Sequence, residues 1–596
     1  MGKPVCAGLP VIFAVGLKKG KLYESRITKY KFPDTGVAET EEGTALIRGT
    51  LPGQKVSFYV SGKRAGMAKG RLSEVLERSS LETEEPACPH FGRCGGCIYQ
   101  RVAYEDQLKL KADCVKRLIG CEDRFEGIYP SPSSCGYRNK MEYTFGDEYK
   151  DGPLALGLHK KGSFYDVVNT SGCIIVHDDF NIIRSAVRDF FAEYYSAGTV
   201  DYHHRNTHRG YLRHLLLRRS FSSGDILVAL VTTTPGRSDA VSQEGESGLI
   251  SSFCKMLKSL SLSGRISGAF HVYNDSFSDV VKSEGTELLF GEEYITEEIL
   301  GLKFSISLFS FFQTNPKGAE VLYSKAREYA ACRDGDMSAG QGSRAEDLKV
   351  SEPAASLPVI YDLYCGTGTI TQLMSPAASR VIGVEIVEEA VETAKKNAVM
   401  NGIENAEFIA GDVTEILCGK GAETLPRPDL IILDPPREGV HPKVLAKILS
   451  FGVRNIIYIS CKPTSLASEV AAFNAAGYEL RKYACVDMFP QTVHVETVIL
   501  LSQRKADAYV EVDLELSGLD LTSAEAKATY EEIKAYIKEK YDLNVSNLYI
   551  AQIKEECGIL ERENYNLPKR ESSKKPHCPI EKRDAILDAF EHFKMI

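Results

Sequence analysis

The order of apolar and polar residues divides the chain into regions of different character. Residues 17–80 contain five short runs in which apolar and polar side chains alternate, with turns between them. Each run predicts a β-strand with one buried face, and five of them within about sixty residues predict a small OB-like β-barrel. The predicted strands span residues 21–30, 36–40, 44–47, 55–62 and 69–76.

From residue 358 onward, short continuous apolar runs alternate with helix-like segments. The runs end near residues 363, 385, 410, 433 and 459, and glycine or polar residues follow them. This alternation predicts parallel strands joined by helices, which is a Rossmann-like α/β sheet. Residues 100–310 also alternate helix and strand patterns, but less regularly, and predict an α+β region.

Reactive side chains stand at the ends of three neighbouring apolar runs. An Asp-Pro-Pro-Arg turn begins at Asp434, a Ser-Cys-Lys-Pro segment contains Cys461, and Glu496 stands shortly before the last run. In an open α/β sheet, ligands bind at the rim where the strands end. An isolated strand-end cysteine is more often a packing residue, but a thiol, a carboxylate and this turn on one rim predict a functional site.

Four cysteines show a spacing that packing does not explain. Cys88, Cys94 and Cys97 lie within ten residues, and Cys173 follows in a Ser-Gly-Cys segment. Thiolates bind zinc or iron-sulfur clusters. Structural zinc usually takes paired Cys-x2-Cys units, whereas a close triplet with a remote fourth cysteine favours [4Fe-4S]. We predict a [4Fe-4S] cluster, with zinc as the alternative and His90 as a loop residue.

The first strand-turn-helix unit of the α/β region contains Gly366 and Gly368, which let a ligand approach the backbone at a helix N-terminus. The turn lacks the spacing of dinucleotide sites and is a weak signal alone. Glu385 ends the second strand, where a carboxylate suits a ribose diol. Asp412 follows the third, where it suits an adenine amino group. This series resembles the S-adenosylmethionine methyltransferase fold, with another Rossmann-like enzyme as the alternative.

Charge is unevenly distributed along the chain. The net charge is -9, but residues 1–80 hold 14 Lys and Arg against 7 Asp and Glu. A basic module on an acidic chain is typical of nucleic-acid binding, with a solvated basic face as the plainer interpretation. Further cations lie in residues 135–143, 156–162 and 211–219, among them Arg213 and Arg218. Together they predict a concave RNA-binding surface.

The remaining segments carry weaker signals. At 596 residues the chain is too long for one hydrophobic core. Residues 234–248 and 333–357 are rich in Ser, Gly and Glu and predict loops. Residues 506–596 show a strand pattern at 510–514, a polar helix pattern at 523–539 and a strand-like segment at 548–550, but no catalytic constellation.

The N-terminal apolar run, Val5–Gly16, is interrupted by Pro10 and is too short to span a bilayer. It predicts an N-terminal strand or tail, because only Lys3 precedes it and no small-residue cleavage site follows. Sixteen cysteines without a secretory signal predict a reducing cytoplasm. We therefore expect a cytoplasmic protein with no membrane partner.

The motifs together resemble the RNA uracil-5-methyltransferases, in particular the iron-sulfur branch that modifies large-subunit ribosomal RNA. The resemblance covers residues 17 to about 503 and rests on specific motifs: the cysteine spacing, Phe311-Phe312-Gln313-Thr314-Asn315, Asp434-Pro-Pro-Arg437, Ser460-Cys461-x-Pro463 and Val495-Glu496-Thr497. The N-terminal segment resembles a TRAM domain through Gly36-Val37-Ala38 and Leu51-Pro52-Gly53-Gln54-Lys55-Val56.

The resemblance implies four regions and a set of site residues. The regions are a TRAM barrel (1–80), a central iron-sulfur RNA-binding domain (81–310), a methyltransferase domain (311–505) and a C-terminal extension of unknown role (506–596). Cys461 is the implied nucleophile and Glu496 the implied general base. The implied contacts to S-adenosyl-L-methionine are Gln313, Tyr364, Glu385, Asp412 and Asp434. The family often has Asn where this chain has Lys462, which leaves the setting of the thiol open.

The reaction implied by the family also agrees with the chemistry of these residues. Uracil C5 is a poor nucleophile until a thiolate adds to C6, so covalent catalysis requires a cysteine. After methylation a carboxylate must remove the C5 proton before the thiolate can leave. Since C6 is shielded in a stacked strand, we expect a flipped or looped-out uridine.

Several alternatives remain at this point. An adenine or glutamine N-methyltransferase uses a related turn but needs no thiol, and Arg437 and Cys461 argue against it. A catalytically silent RNA-binding cluster protein is disfavoured, because the nucleophile, base and cofactor positions are all filled. We predict a monomer that methylates 23S ribosomal RNA, with a uridine in the T loop of transfer RNA as the alternative substrate.

Overall fold

The computed structural model describes residues 16–64, 67–278, 280–281, 283–332, 357–419, 422–504, 530–543, 545–546, 549–550, 553–554 and 579–593. The chain forms two compact units, Met1–Lys505 and Ala506–Ile596. In the described part of the chain, no helix combines the length and the apolar character that a membrane span requires. The apolar run at residues 5–15 and the predicted loop at 333–356 lie outside the described residues, as do 510–514, Cys557 and Cys578.

Residues 22–77 form a closed five-stranded barrel, as the alternating pattern predicts. The neighbour order is β1-β2-β3-β5-β4. The inward positions carry small and branched side chains, and Ala38, Ile47, Val56 and Phe58 are completely buried. The strands are β1 (Leu22–Lys31), β2 (Thr35–Thr40), β3 (Gly43–Arg48), β4 (Lys55–Arg64) and β5 (Met67–Glu77).

The central region is built on a seven-stranded sheet of order β13-β12-β11-β10-β7-β8-β9. Its strands are β7 (Lys140–Gly146), β8 (Ala155–His159), β9 (Val167–Val168), β10 (Leu212–Arg219), β11 (Asp225–Thr232), β12 (Arg265–Tyr273) and β13 (Gly285–Gly291). Helices α2 (Asp178–Ser196) and α3 (Gln243–Lys258) pack together beside it. The predicted loop at 234–248 is therefore wrong at its end, because Ser242 caps α3 by accepting a hydrogen bond from Gly245 N–H.

The prediction that the cations of residues 211–219 face RNA is wrong for the two central arginines. Arg213 and Arg218 are 2% and 1% exposed. Arg213 donates to the carbonyl oxygens of Asn274, Ser276 and Ser278, and Arg218 to those of Ser307, Leu308 and Ser310. These guanidinium groups bind loop backbone, which satisfies buried carbonyls instead of meeting phosphate.

The second large sheet has eight strands in the order β18-β17-β16-β19-β20-β22-β21-β6. The strands are β6 (Phe125–Tyr129), β16 (Val359–Leu363), β17 (Arg380–Glu385), β18 (Ala406–Ala410), β19 (Leu430–Leu433), β20 (Asn455–Ser460), β21 (Tyr478–Val486) and β22 (Glu496–Gln503). Neighbours from β18 to β20 are parallel, whereas β22 is antiparallel to β20 and β21. The strand β6 joins this sheet although it precedes the central sheet in sequence.

Alternate residues of each strand face two different cores, so the continuous apolar runs are explained by burial on both faces. Ile432 packs into the core that includes α4 (Pro316–Ala330), and Ile431 into the core that includes α8 and α9. The other helices are α1 (Tyr104–Ile119), α5 (Thr369–Met374), α6 (Glu388–Met400), α7 (Val413–Cys418), α8 (Pro442–Ser450) and α9 (Pro463–Ala475). A hairpin of β14 (Tyr294–Ile299) and β15 (Leu302–Ser307) packs beside α4 and α6.

The second unit contains two described helices, α10 (Tyr530–Tyr541) and α11 (Ile580–His592). They pack through Ile533, Ile537, Ile586 and Phe590. The helix expected over 523–539 is present from residue 530 among the described residues. The strand expected at 548–550 is wrong for Tyr549 and Ile550, which are helical.

Candidate active site at the sheet rim

Cys461 and Glu496 come together because their strands are antiparallel neighbours. Ser460 at the end of β20 pairs with Thr497 in β22. Extending this register by one residue places Cys461 opposite Glu496, and directly opposed residues of antiparallel strands lie about 5 Å apart. The thiol is partly buried, and Glu496 is only 5% exposed.

Burial and neighbouring charges set the protonation of this pair. Burial and the Asp434 carboxylate raise the pKa of Glu496, the Arg437 guanidinium opposes both, and the resulting pKa is about 8. Burial and the neighbouring Glu496 and Asp434 carboxylates raise the pKa of Cys461, the Arg437 guanidinium lowers it, and the resulting pKa is about 11. Arg437 is therefore the cation that acts on the thiol. Lys462, which the sequence left as a candidate for this role, lies at the start of α9, and both cations are exposed.

Glu469 on α9 fixes the turn that presents Arg437. Its Oε1 accepts a hydrogen bond from Val440 N–H at 2.7 Å, and its Oε2 accepts one from Tyr458 OH at 2.6 Å. Gly439 has φ +88°, a conformation that glycine adopts without strain, and a β-carbon there would collide with Glu469 Oε1. Sequence reasoning missed Glu469, because a glutamate within a helix is ordinarily a solvated residue.

A second group of acids lies under the rim. Asp362, at 0% exposure, accepts a hydrogen bond from Thr371 OH at 2.6 Å through Oδ2, and its Oδ1 is buried without a partner. The pKa values of Asp362 and Asp434 are both raised to about 7, mainly by burial. The Asp362 carboxylate contributes to the raised pKa of Asp434, and Asp434 contributes to that of Glu496. A group of buried carboxyl groups favours a cationic ligand, and the unpartnered oxygen of Asp362 fits an S-adenosyl-L-methionine site.

The predicted cofactor residues of the first two strands converge on the glycine turn. Glu385 accepts hydrogen bonds from Gly366 N–H and Val387 N–H, both at 3.0 Å, so its carboxylate is held at the turn. Tyr364 has φ +70°, and its N–H donates to Val384 O at 2.9 Å. A strained non-glycine conformation of this kind is common at binding sites.

Asp412 and Gln313 occupy different kinds of position. Asp412 caps α7, where its Oδ1 accepts a hydrogen bond from Thr414 N–H at 2.8 Å, and this bond lowers its pKa. Gln313 follows the loop that Arg218 holds, and it lies close enough to Tyr323 of α4 to lower the pKa of that phenol. Tyr323 is a further buried residue beside Asp434 and Glu496. Its position in a helix of mixed composition gave no sequence signal.

The four predicted cluster cysteines line one cavity in the central region. The cavity has a volume of about 400 Å³ including space open to solvent, and His90, Gln100 and Thr170 lie beside Cys88, Cys94, Cys97 and Cys173. His90 Nε2 accepts a hydrogen bond from Ser171 N–H at 2.9 Å, as expected of a loop residue. Burial is the main cause that raises the pKa of Cys97 to about 12 and that of Cys173 to about 11, and the other thiols act in the same direction.

Within the described residues, no group of three or more His, Cys, Asp or Glu side chains is arranged to hold a single metal ion. In a [4Fe-4S] cluster each cysteine binds a different iron, so the four sulfur atoms need not converge on one point. A donor set of four thiols around one cavity fits such a cluster by its chemistry.

Comparison with known proteins identifies relatives of this chain. The family profile described as tRNA (uracil-5-)-methyltransferase matches residues 354–504. An RNA methyltransferase of Caldanaerobacter subterraneus subsp. tengcongensis is 44% identical over 491 residues, which is 82% of this chain and 100% of the relative. One from Clostridium acetobutylicum is 43% identical over 493 residues, covering 82% of this chain and 99% of the relative.

The fold has a solved counterpart. The crystal structure of Pyrococcus abyssi tRNA (uracil-54, C5)-methyltransferase in complex with S-adenosyl-L-homocysteine covers 80% of this chain and 100% of its own. Its TM-score is 0.57 at 22% identity. Together with the relatives that match along their full length, these findings show that the chain belongs to the family of S-adenosylmethionine-dependent RNA uracil-5-methyltransferases.

Proposed function

We propose that this protein methylates C5 of a uridine in 23S ribosomal RNA, with Cys461 as nucleophile and Glu496 as general base. The observation that carries the proposal is the placement of the thiol opposite a buried carboxylate, beside Arg437 and Asp434. A packing cysteine needs neither a neighbouring cation that lowers its pKa nor a neighbouring carboxylate with a raised pKa.

The proposed reaction assigns one task to each of these residues. The Cys461 thiolate, favoured by Arg437, adds to C6 of the uracil and makes C5 nucleophilic. S-adenosyl-L-methionine supplies an electrophilic methyl group on a cationic sulfur. Once C5 is methylated, the Glu496 carboxylate removes the C5 proton, and the electrons of the C5–H bond form the C5–C6 double bond as the thiolate leaves.

The positions of the other predicted contacts support this assignment. We propose that Glu385 binds the cofactor ribose, that Asp412 meets its adenine, and that Gln313, Tyr364 and Asp434 line the remainder of its pocket. A carboxylate held by two backbone N–H groups retains oxygen lone pairs for a diol, which favours Glu385 in that role.

We further propose that Cys88, Cys94, Cys97 and Cys173 hold a structural [4Fe-4S] cluster in the central domain. The cluster would cross-link a loop that lacks a large core of its own, and the polar methyl transfer requires no electron from it. The proposed regions are a TRAM barrel (1–80), a cluster domain (81–310), a methyltransferase domain (311–505) and an extension (506–596). We propose that the protein acts as a monomer in the cytoplasm.

The choice of ribosomal RNA rests on the barrel and the four-cysteine cavity, which resemble the ribosomal branch of the family. The matching profile and the solved counterpart are both named for transfer RNA, so a T-loop uridine is the alternative. A map of 5-methyluridine in total RNA from cells lacking the protein decides between them. We expect loss of methylation at a 23S position. Loss in transfer RNA alone would contradict the ribosomal assignment.

A further inference from the structure

The connection between β21 and β22 is a buried loop that leads directly into Glu496. Met488 and Val495 are completely buried in this loop (residues 487–495), and Gln491 is 9% exposed. Connecting loops usually lie at the surface, because their backbone polar groups need water. A buried loop must therefore find hydrogen-bond partners elsewhere in the protein.

Some of these partners come from the segment that follows the four-cysteine cavity. The N–H groups of Ile98 and Tyr99 both donate to the carbonyl oxygen of Gln491, at 2.9 and 3.1 Å. Ile98 directly follows Cys97 in the chain. The cysteine loop and the strand of the general base thus meet at a single carbonyl group.

The side chain of Gln107 on α1 also forms hydrogen bonds to Gln491, beside those from Ile98 and Tyr99. Its Oε1 accepts a hydrogen bond from Gln491 N–H at 3.0 Å, and its Nε2 donates to Gln491 Oε1 at 3.1 Å. The same Nε2 lies within hydrogen-bond distance of the carbonyl oxygens of Tyr99 and Val102. Gln107 is 1% exposed, so water does not replace these bonds.

Two further features indicate that the loop is held in one imposed conformation. Gln491 has φ +67°, which a non-glycine residue keeps only where its surroundings impose it. At the start of the loop, the buried Lys111 of α1 forms an ion pair with Asp487 at 2.6 Å and donates to Phe489 O at 3.1 Å. Helix α1 therefore fixes the loop at two points before it reaches Glu496.

We propose that Gln491, held by Gln107 and by the backbone that follows Cys97, is a positioning residue for Glu496. The inference rests on the proposed function, since it takes Glu496 as the base. Loss of these hydrogen bonds displaces the base and leaves Cys461 in place, because the thiol directly follows β20. The segment that contains Cys97 is thereby coupled to proton abstraction and not to nucleophilic addition.

The test compares two RNAs with the full-length Gln107→Ala protein. RNA containing 5-fluorouridine reports addition and methylation only, since fluorine is not removed as a proton. We expect trapping on this RNA at the wild-type rate. On uridine RNA we expect turnover to fall about tenfold or more, because small displacements of catalytic groups are costly, and a methylated protein–RNA adduct to accumulate.

A second variant and a control separate positioning from general damage. Gln491→Gly keeps the carbonyl that Ile98 and Tyr99 bond and tolerates the positive φ, so it should show the same signature more weakly. Gln54→Ala removes another buried glutamine, 5% exposed and located in the barrel, whose Oε1 accepts a hydrogen bond from Leu51 N–H at 2.8 Å. We expect it to lower the melting temperature without any adduct accumulation.

The inference would be overturned if Gln107→Ala lost turnover and 5-fluorouridine trapping in parallel. It would also be overturned if Gln107→Ala and Gln491→Gly both kept the turnover of wild type. Glu496→Gln is measured alongside. If Glu496→Gln accumulates adduct and Gln107→Ala does not, only the positioning role fails. If Glu496→Gln accumulates none, the assignment of the base fails and this inference fails with it.

Discussion

The sheet rim and the four-cysteine cavity both bury thiols, but their surroundings differ in one respect. At the rim, the Arg437 guanidinium opposes the effect of burial on the pKa of Cys461. In the cavity, burial raises the pKa of Cys97 and Cys173, hydrogen bonds oppose it, and the other thiols raise the pKa of both. The chain itself supplies a positive charge beside the proposed nucleophile, whereas the cavity thiols would receive theirs from bound iron.

Removing the rim thiol should have the largest effect. We expect Cys461→Ala to lower methylation by at least about a thousandfold, as for other covalent nucleophiles, while RNA and cofactor binding persist. The measurement is methyl incorporation into RNA, together with trapping on 5-fluorouridine RNA, which wild type should show and the variant should not. Retained activity in Cys461→Ala would exclude the covalent mechanism.

Removing the base should interrupt the same reaction at a later step. Glu496→Gln keeps the shape of the side chain and loses its basicity, so addition and methylation proceed and elimination stalls. We expect turnover to fall by about 10²- to 10⁴-fold and a methylated protein–RNA adduct to be visible on denaturing gels. Release of free product at the wild-type rate would require a different base.

Substitution of Arg437 directly tests whether a cation supplied by the chain distinguishes the rim thiol from the cavity thiols. Without its guanidinium the pKa of Cys461 should rise, because the group that lowers it is lost. The pH profile of thiol alkylation in the free protein should therefore move to higher pH in Arg437→Ala. Lys462→Asn is the matched control, and its profile should equal that of wild type. A shift in the control and none in Arg437→Ala would reverse the roles of the two cations.

Loss of a cavity cysteine should remove the iron and leave the binding of S-adenosyl-L-methionine at the rim unchanged. Purified without oxygen, the protein should be brown and contain about four irons and four sulfides per chain. Cys94→Ser should lose this iron and bind RNA more weakly, while calorimetry shows unchanged S-adenosyl-L-methionine binding. Stoichiometric zinc in place of iron, or a cluster that changes oxidation state during turnover, would contradict the structural cluster.

The smallest expected effect concerns stability. The pKa of Glu496 in the folded protein, about 8, lies above the ordinary glutamate value of 4.5. Its contribution to stability is complete below about pH 4.5 and is lost as the pH rises through 8. Glu496→Gln should therefore flatten the dependence of melting temperature on pH between 5 and 8. Identical slopes in the two proteins would mean that the carboxyl group is not buried as described.

Local patterns in the sequence determined the barrel strands, the parallel α/β strands and the three reactive segments. They could do so because a strand's burial is recorded in its own alternation of side chains, and because a strand end marks a rim. The positions of Cys461 and Glu496 at neighbouring strand ends followed from the same reasoning. The cysteine spacing likewise led to one cavity.

Only the tertiary structure decided which charged residues are buried and what they bind. Arg213 and Arg218 read as RNA contacts in sequence but bind loop carbonyls, since an exposed strand and a strand under a loop share the same local pattern. Glu469 and the bonds between Gln107 and Gln491 depend on residues 29 and 384 positions apart. No local period records such a contact, because hydrogen bonds between distant segments are fixed by packing and not by neighbours in the chain.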